Sequence, residues 1–182
     1  MAAYIKVPHT LYPDKTITVA LYRNVSCKEL RKSVMSGAIE VSLLKTSMVI
    51  DEFQVLVAAN KALHLQHAGT MMTKNVHSEI LFCLSPSKNI SESFQSFGAA
   101  DSDTNVVVAI ADDQDDERLD KVSEILGKSP VALTELSELA DTKLITKAYK
   151  VSADELNSYD LRDAVVSRIS AKEIITAGKG KV

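Results

Sequence analysis

Four histidines, two cysteines and a glutamate at the start of an apolar run are the side chains that could do chemistry in this sequence. His77 and Glu79 stand two positions apart in the segment VHSEILFCL. If this segment is a strand, the two side chains share a face and could act as general acid and base. The more ordinary interpretation is that Glu79 pairs with a lysine or accepts hydrogen bonds from a loop. We therefore predict no catalytic residue.

Metal and cofactor chemistry also lack a complete set of residues. His64 and His67 are three positions apart on a predicted helix, but a structural metal site needs about four ligands, and neither cysteine nor a carboxylate pair is close in sequence. Cys83 lies in an apolar segment, where a reduced, buried thiol is expected. The chain has no nucleotide-binding glycine motif and only 6 glycines. We predict no metal and no cofactor.

A cluster of basic and polar residues spans a predicted helix end, a loop and the start of the next element. The formal net charge is -3, so any nucleic-acid site must be local. These side chains suit phosphate contacts, although an ordinary solvated surface has the same composition. The cluster consists of Lys61, His64, His67, Lys74, Asn75 and His77.

An apolar stripe marks the last predicted helix. Leu161, Val165 and Ile169 recur at helical spacing, and Ala148 and Tyr149 lie just upstream. Such a stripe is either core or an interface for a partner. Periodicity favours the core and leaves the interface open.

Apolar patterns and capping residues predict the elements that position these side chains. Strands are predicted at 16–22, 76–84 and 106–111, the first of them half-buried and opening the fold. Helices are predicted at 27–36, from Asp51 to Gly69, at 90–97, from the acidic run 112–117 as a solvated helix start, and around 161–169. Ser26 with Glu29, and Ser152 with Glu155 before the last helix, predict capping boxes, whereas 134–150 mixes helical and extended signals.

These elements indicate an α+β fold, with a small mixed or antiparallel sheet flanked by helices and a C-terminal helix packed on it. Length predicts a single domain over 1–176, followed by a flexible tail at 177–182. No window approaches the ~20 apolar residues of a bilayer-spanning helix. We expect a soluble intracellular protein without membrane contact.

Three stretches together resemble a known family. They are DEFQVLVAANKALHL at 51–65, TKNVHSEILFCLSPSKNISESFQSFGAADSD at 73–103, and KAYKVS at 147–152 with the following LRDAVVSRIS. The series of LSP, NIS and FG between 84 and 98 is the most specific part. The chain resembles the PRPK-binding protein (TPRKB) family of small subunits of the EKC/KEOPS complex, in the family's order and over nearly its whole length.

The resemblance implies a non-catalytic adaptor in the cytoplasm and nucleus. Such a subunit binds the kinase-like ATPase subunit PRPK, meets the other KEOPS subunits indirectly, and supports tRNA binding for threonylcarbamoyladenosine modification. The single-stranded 3′ acceptor end of tRNA is part of that expectation. The partner-binding candidates are Ala148, Tyr149, Leu161, Val165 and Ile169. The tRNA-binding candidates are Lys61, His64, Lys74, Asn75 and His77.

Two other classes of function remain as alternatives. A stand-alone small RNA-binding module would need a broad basic face or stacking aromatics, but aromatic residues make up only 5% and Trp is absent. A small hydrolase or isomerase would need a pocket with convergent titratable groups.

Overall fold

Four strands form one antiparallel sheet in the computed structural model, which describes residues 3–173. They are β1 (Tyr4–Pro8), β2 (Thr16–Arg23), β3 (Ser42–Lys45) and β4 (Asn105–Ala111). The order across the sheet is β1-β2-β4-β3, and every neighbouring pair is antiparallel. The two central strands, β2 and β4, match the predicted strands at 16–22 and 106–111. The edge strands β1 and β3 were not predicted, and β1 rather than β2 opens the fold.

Nine α-helices lie between and after the strands within residues 3–173. In chain order they are α1 (Cys27–Met35), α2 (Glu52–Ala68), α3 (Val76–Leu84), α4 (Ile90–Phe97), α5 (Glu117–Leu126), α6 (Leu136–Leu139), α7 (Thr142–Ala148), α8 (Ala153–Leu156) and α9 (Leu161–Ser170). Short 3-10 helices occupy Thr46–Met48 and Leu133–Glu135. The ambiguous stretch 134–150 is therefore helical.

Helices cover both faces of the sheet. Side chains of a strand alternate between faces, so Val19 of β2 packs with α2, α3 and α9, while its neighbours Ala20 and Tyr22 pack with α1 and α5. All three residues have 0% exposure, which corrects the prediction of a half-buried first strand. The predicted α+β fold is confirmed, with an antiparallel sheet between two helical layers.

Segment 76–84 is helix α3, and the predicted central strand there is wrong. Its apolar run is short enough to suit a buried strand or a buried helix, and periodicity alone does not separate the two. The cap decides. The Asn75 side chain accepts a hydrogen bond from Ser78 N at 2.9 Å, and Asn75 N donates to Ser78 Oγ at 3.3 Å, which together close a capping box.

Other predicted helix ends have mixed outcomes. Asp51 caps α2 by accepting a hydrogen bond from Gln54 N at 3.1 Å, and Gly69 ends this helix at a φ of 68°, where glycine is favoured. Ser26 precedes α1 as predicted, but its side chain makes no capping bond. Ser152 does cap, accepting from Glu155 N at 3.2 Å, although it starts the short helix α8 rather than the final one.

Tyr149, which follows α7, links the C-terminal helices to the core. Its ring is 2% exposed and packs edge-on against Phe97 with a centroid distance of 5.7 Å. Its hydroxyl donates to the carbonyl of Leu84 and accepts from Gln54 Nε2 at 3.2 Å. Burial raises the pKa of Tyr149 well above its usual range, so the hydroxyl stays protonated. One side chain thus joins α7 to both α2 and α3.

The predicted tail at 177–182 and the last residues of the predicted domain 1–176 lie outside the described residues. Within the described part, no helix is long and apolar enough to cross a bilayer. Both cysteines, Cys27 and Cys83, are buried and free. Burial raises the pKa of Cys83 to about 12, so this thiol stays protonated at neutral pH.

The Tyr149 hydroxyl gives a stability prediction. Replacing Tyr149 with Phe keeps the ring but leaves the Leu84 carbonyl without its buried donor, which should cost about 1–3 kcal/mol of unfolding free energy. Urea unfolding followed by circular dichroism measures this cost. Tyr159→Phe, at a tyrosine that is 65% exposed, is the matched control and should change nothing. Equal midpoints for the two variants would contradict the role given to this hydroxyl.

Candidate functional site

Three of the five predicted partner-binding residues belong to the core. Tyr149, Val165 and Ile169 are 2%, 0% and 1% exposed, so a partner cannot reach them in this conformation. Burial against α2 and the sheet explains the helical periodicity of the stripe. Ala148 and Leu161 are half-buried and are the members of the set with surface left for a partner.

Leu161 lines an open groove beside α7. Its floor consists of Val151, Leu156 and Leu161, its wall consists of residues of α7 and Lys150, and its volume is about 690 Å³. Leu156 is 40% exposed and Leu144 of α7 is 42% exposed. We call this feature the α7 groove. It is an apolar surface of the kind that partners cover.

The predicted tRNA-binding residues lie at two places: Lys61 and His64 line one cavity, and Asn75 and His77 line another. Lys61 is half-buried, and its Nζ donates to the carbonyl of Ile169 at 2.7 Å and pairs with Glu173. It therefore satisfies the C-terminal end of α9, where carbonyls lack helical partners.

His64 and His67 point to the loop after β1. The ring of His67 stacks on Tyr12 at a centroid distance of 4.2 Å, and His64 Nδ1 is 3.0 Å from the Tyr12 hydroxyl. Within residues 3–173, no group of three histidine, cysteine or acidic side chains could hold a metal ion. This pair is therefore an aromatic contact between α2 and a loop.

His77 is a buried structural residue. It is 4% exposed, and its Nε2 accepts a hydrogen bond from Ala111 N of β4 at 3.1 Å. Burial, reinforced by the positive charge of Arg118, lowers the pKa of His77 to about 3. A neutral ring in this position ties α3 to the end of β4.

Glu79 holds the loop before α3 and has no part in an acid-base pair. Its carboxylate is 0% exposed and accepts hydrogen bonds from Thr73 N at 2.8 Å, Thr73 Oγ1 at 2.6 Å and Met72 N at 3.1 Å. Residues two positions apart on a helix face different ways, so His77 and Glu79 do not share a face. Each has its own structural partners.

Lys74 and Asn75 remain at the surface beside a second cavity. Lys74 is exposed and has no hydrogen bond or ion pair to any described residue, whereas Asn75 caps α3. The cavity has a volume of about 290 Å³, and we call it the α3 cavity. It is lined mainly by apolar side chains with a few polar ones, among them Val34, Met35, Leu81, Phe94, Arg31, Asn75 and Ser78.

Sequence reasoning missed the contribution of α1 to this cavity. Arg31 and Met35 precede Asn75 by about 40 positions, and no motif relates them. The one available signal was Met35 itself, a large apolar residue at a helix end before Gly37, which proves to be 80% exposed.

The lowered pKa of His77 gives a pH prediction. The unfolded chain binds a proton at this residue below about pH 6.5 and the folded chain does not, so the free energy of unfolding falls as pH decreases from there. The loss of unfolding free energy approaches about 1.4 kcal/mol per pH unit below pH 6.5. It amounts to about 2 kcal/mol at pH 5. His77→Gln keeps an acceptor for Ala111 N and should remove this dependence in urea titrations.

All carboxylates are common to both proteins, so the difference between the two pH profiles isolates His77. His64→Gln, at an exposed histidine, is the control and should keep the wild-type profile. Parallel profiles for wild type and His77→Gln would show that this residue is not held neutral in the folded state.

Comparisons with known proteins agree with the resemblance seen in the sequence. The family model described as kinase binding protein CGI-121 matches residues 22–173. The chain is 39% identical over 173 residues to the EKC/KEOPS complex subunit TPRKB of Danio rerio, a match that covers 94% of this chain and 99% of that relative.

Fungal relatives align over most of the chain as well. The EKC/KEOPS complex subunit cgi121 of Aspergillus fumigatus is 36% identical, with 81% of this chain and 82% of the relative covered. The subunit of the same name from Schizosaccharomyces pombe is 30% identical, with 81% and 89% covered. The family predicted from the sequence is thereby confirmed, and the chain belongs to the CGI-121 family of kinase-binding proteins.

Proposed function

We propose that this chain is a non-catalytic adaptor subunit of the EKC/KEOPS complex. It binds the kinase-like ATPase subunit PRPK and supports the binding of tRNA for threonylcarbamoyladenosine modification, in the cytoplasm and nucleus. The observation that carries the proposal is the match of residues 22–173 to a kinase-binding family whose curated relatives are named as subunits of this complex.

The chemistry of the buried polar groups supports an adaptor over a hydrolase or isomerase. His77 and Glu79, the acid-base candidates, are both engaged in hydrogen bonds that hold α3 and the loop before it. A catalytic pair needs titratable groups that converge on one open position. Neither the α3 cavity nor the α7 groove is lined by a pair of titratable groups that share a hydrogen bond.

A stand-alone RNA-binding module receives less support. The predicted basic cluster is divided, because Lys61 and His64 line one cavity whereas Asn75 and His77 line the α3 cavity. The aromatic stack of Tyr12 and His67 is closed on itself, so its inner faces are not free for bases. Binding of RNA as part of an assembly needs a smaller surface than binding alone.

The α7 groove is the surface that we assign to the kinase-like subunit. It contains Leu161, which together with Ala148 keeps exposed area after the rest of the predicted stripe is buried. An apolar groove of this kind is stabilised when a partner excludes water from it. We therefore keep Leu161 in the proposed docking surface and leave out Tyr149, Val165 and Ile169.

The start of α3 is the surface that we assign to tRNA. Lys74 offers an unpaired ammonium for a phosphate, and the adjoining α3 cavity offers apolar walls and the Asn75 side chain for an unstacked base. A single-stranded end supplies both groups, as the 3′ acceptor end of tRNA does. Lys61, His64 and His77 have no place in this narrower proposal.

Kinase docking is tested by Leu161→Glu. A charge placed in a desolvated apolar contact costs several kcal/mol, so affinity for the purified kinase-like subunit should fall by roughly a hundred- to a thousandfold. Isothermal titration measures it, after thermal unfolding has shown that the variant folds. Ile125→Glu on α5, at a residue that is 37% exposed, is the control.

Leu161→Ala keeps this test decisive if the glutamate variant does not fold. Removal of most of the side chain without a new charge should still weaken binding, by roughly tenfold or more if the position is a buried anchor. Unchanged affinity for a folded Leu161→Ala variant would place the kinase on another surface.

The tRNA proposal is tested by Lys74→Glu in the assembled complex. Loss of one phosphate contact to a single strand should flatten the slope of log affinity against log salt by about 0.7. Filter binding at several salt concentrations measures the slope with intact and 3′-trimmed tRNA. Lys128→Glu makes the same change of net charge after α5 and should leave the slope unchanged.

The two tRNAs separate the two parts of the proposal. Intact tRNA should bind more tightly than trimmed tRNA, and the difference should shrink in Lys74→Glu. Equal binding of the two tRNAs by the wild-type complex would exclude the acceptor end, whatever the effect of the lysine.

A further inference from the structure

The rim of the α7 groove is positively charged. Lys143, Lys147 and Lys150 all line the groove, and its lining contains no carboxylate. All three lysines are exposed, and none of their ammonium groups has a hydrogen bond or ion pair to a residue within 3–173. An apolar floor therefore adjoins three ammonium groups that the described chain leaves uncompensated.

Two nearby carboxylates are engaged elsewhere. The Asp141 side chain caps α7 by accepting a hydrogen bond from Leu144 N at 2.9 Å. Glu155, next to Leu156, pairs with both terminal nitrogens of Arg168 at 2.7 Å. These acids stabilise local structure and do not neutralise the rim.

Helix stability does not account for the lysines. Lys147 lies in the last turn of α7, where a cation interacts favourably with the helix dipole. Lys143 lies in the first turn, where the same dipole disfavours a positive charge. A lysine there needs another explanation, and a negatively charged partner provides one.

The spacing of the lysines fits a helical partner. Lys143 and Lys147 lie one turn apart on the same side of α7, about 6 Å along its axis from 1.5 Å of rise per residue, and Lys150 follows the end of this helix. Carboxylates at positions i and i+4 of a second helix repeat with the same period. Apolar residues on the adjacent stripe of that helix would meet Val151, Leu156 and Leu161.

We propose that the α7 groove binds an acidic amphipathic helix of the kinase-like subunit. The apolar stripe of the helix covers Leu156 and Leu161, and its carboxylates pair with Lys143, Lys147 and Lys150. This inference rests on the proposed function and adds the chemistry of the docked segment. Opposite charges at the rim also accelerate association, so the lysines act mainly on the association rate.

The test compares two lysine pairs with identical spacing. Lys143→Gln with Lys147→Gln removes two charges from the groove, and Lys28→Gln with Lys32→Gln removes two from exposed positions of α1. Binding of the full chain to the purified kinase-like subunit is followed by surface plasmon resonance at about 0.05 M and about 0.5 M NaCl.

The groove pair should weaken binding by roughly three- to thirtyfold at low salt, mostly through a slower association rate, and the loss should shrink at high salt. The α1 pair should bind as wild type does.

Carbodiimide, which joins an amine directly to a carboxylate, should cross-link Lys143 or Lys147 to an aspartate or glutamate in a helix of the kinase-like subunit.

Each other outcome overturns the proposal in its own way. Tight binding with equal affinity for both lysine-pair variants would support docking of the kinase-like subunit but exclude an acidic helix in the groove. If the wild-type chain did not bind the kinase-like subunit, both the proposed function and this inference would be contradicted. Cross-links between copies of this chain, with a dimer in analytical ultracentrifugation, would assign the groove to self-association. Loss of tRNA binding alone in the groove pair would assign the lysines to RNA.

Discussion

A hydrogen-bonded tyrosine in the core sets the positions of the C-terminal helices. The hydroxyl of Tyr149 reaches the carbonyl of Leu84, the last residue of α3, where a helix leaves carbonyls without partners of its own. Gln54 of α2 donates to the same hydroxyl and also to the carbonyl of Met48. Because these groups are buried, each would cost free energy if it were left unpaired. The α7 groove and the start of α3 are therefore held on one rigid frame.

The polar residues that look reactive in the sequence serve this frame. The carboxylate of Glu79 gathers three donors from the loop before α3, and the neutral ring of His77 ties the same helix to β4. Burial is what allows these roles, since it excludes water as a competing partner. His77 and Glu79 are therefore both engaged in structural hydrogen bonds. This agrees with membership of a kinase-binding family.

The sequence predicts the central strands and α2 correctly because their signals are local. A run of apolar residues marks β4, and Asp51 with Gly69 marks both ends of α2. It fails at α3, where only the Asn75 cap separates a helix from a strand, and at the short edge strands β1 and β3. The same locality explains the candidate site. Lys61 bonds the end of α9 and lines a cavity with His64, whereas Asn75 and His77 line the α3 cavity, and no local pattern records this division.

Burial also decides which residues can report on function. Val165 and Ile169 repeat with the period of an interface helix, yet the sheet and α2 already cover them. Packing in the core therefore explains the apolar stripe. Leu161 starts the same helix and stays half-buried. A substitution beneath the surface would disturb the frame that supports both candidate surfaces and could not separate their roles. Lys74 and the groove lysines lie outside that frame, and for this reason their substitution separates binding from folding.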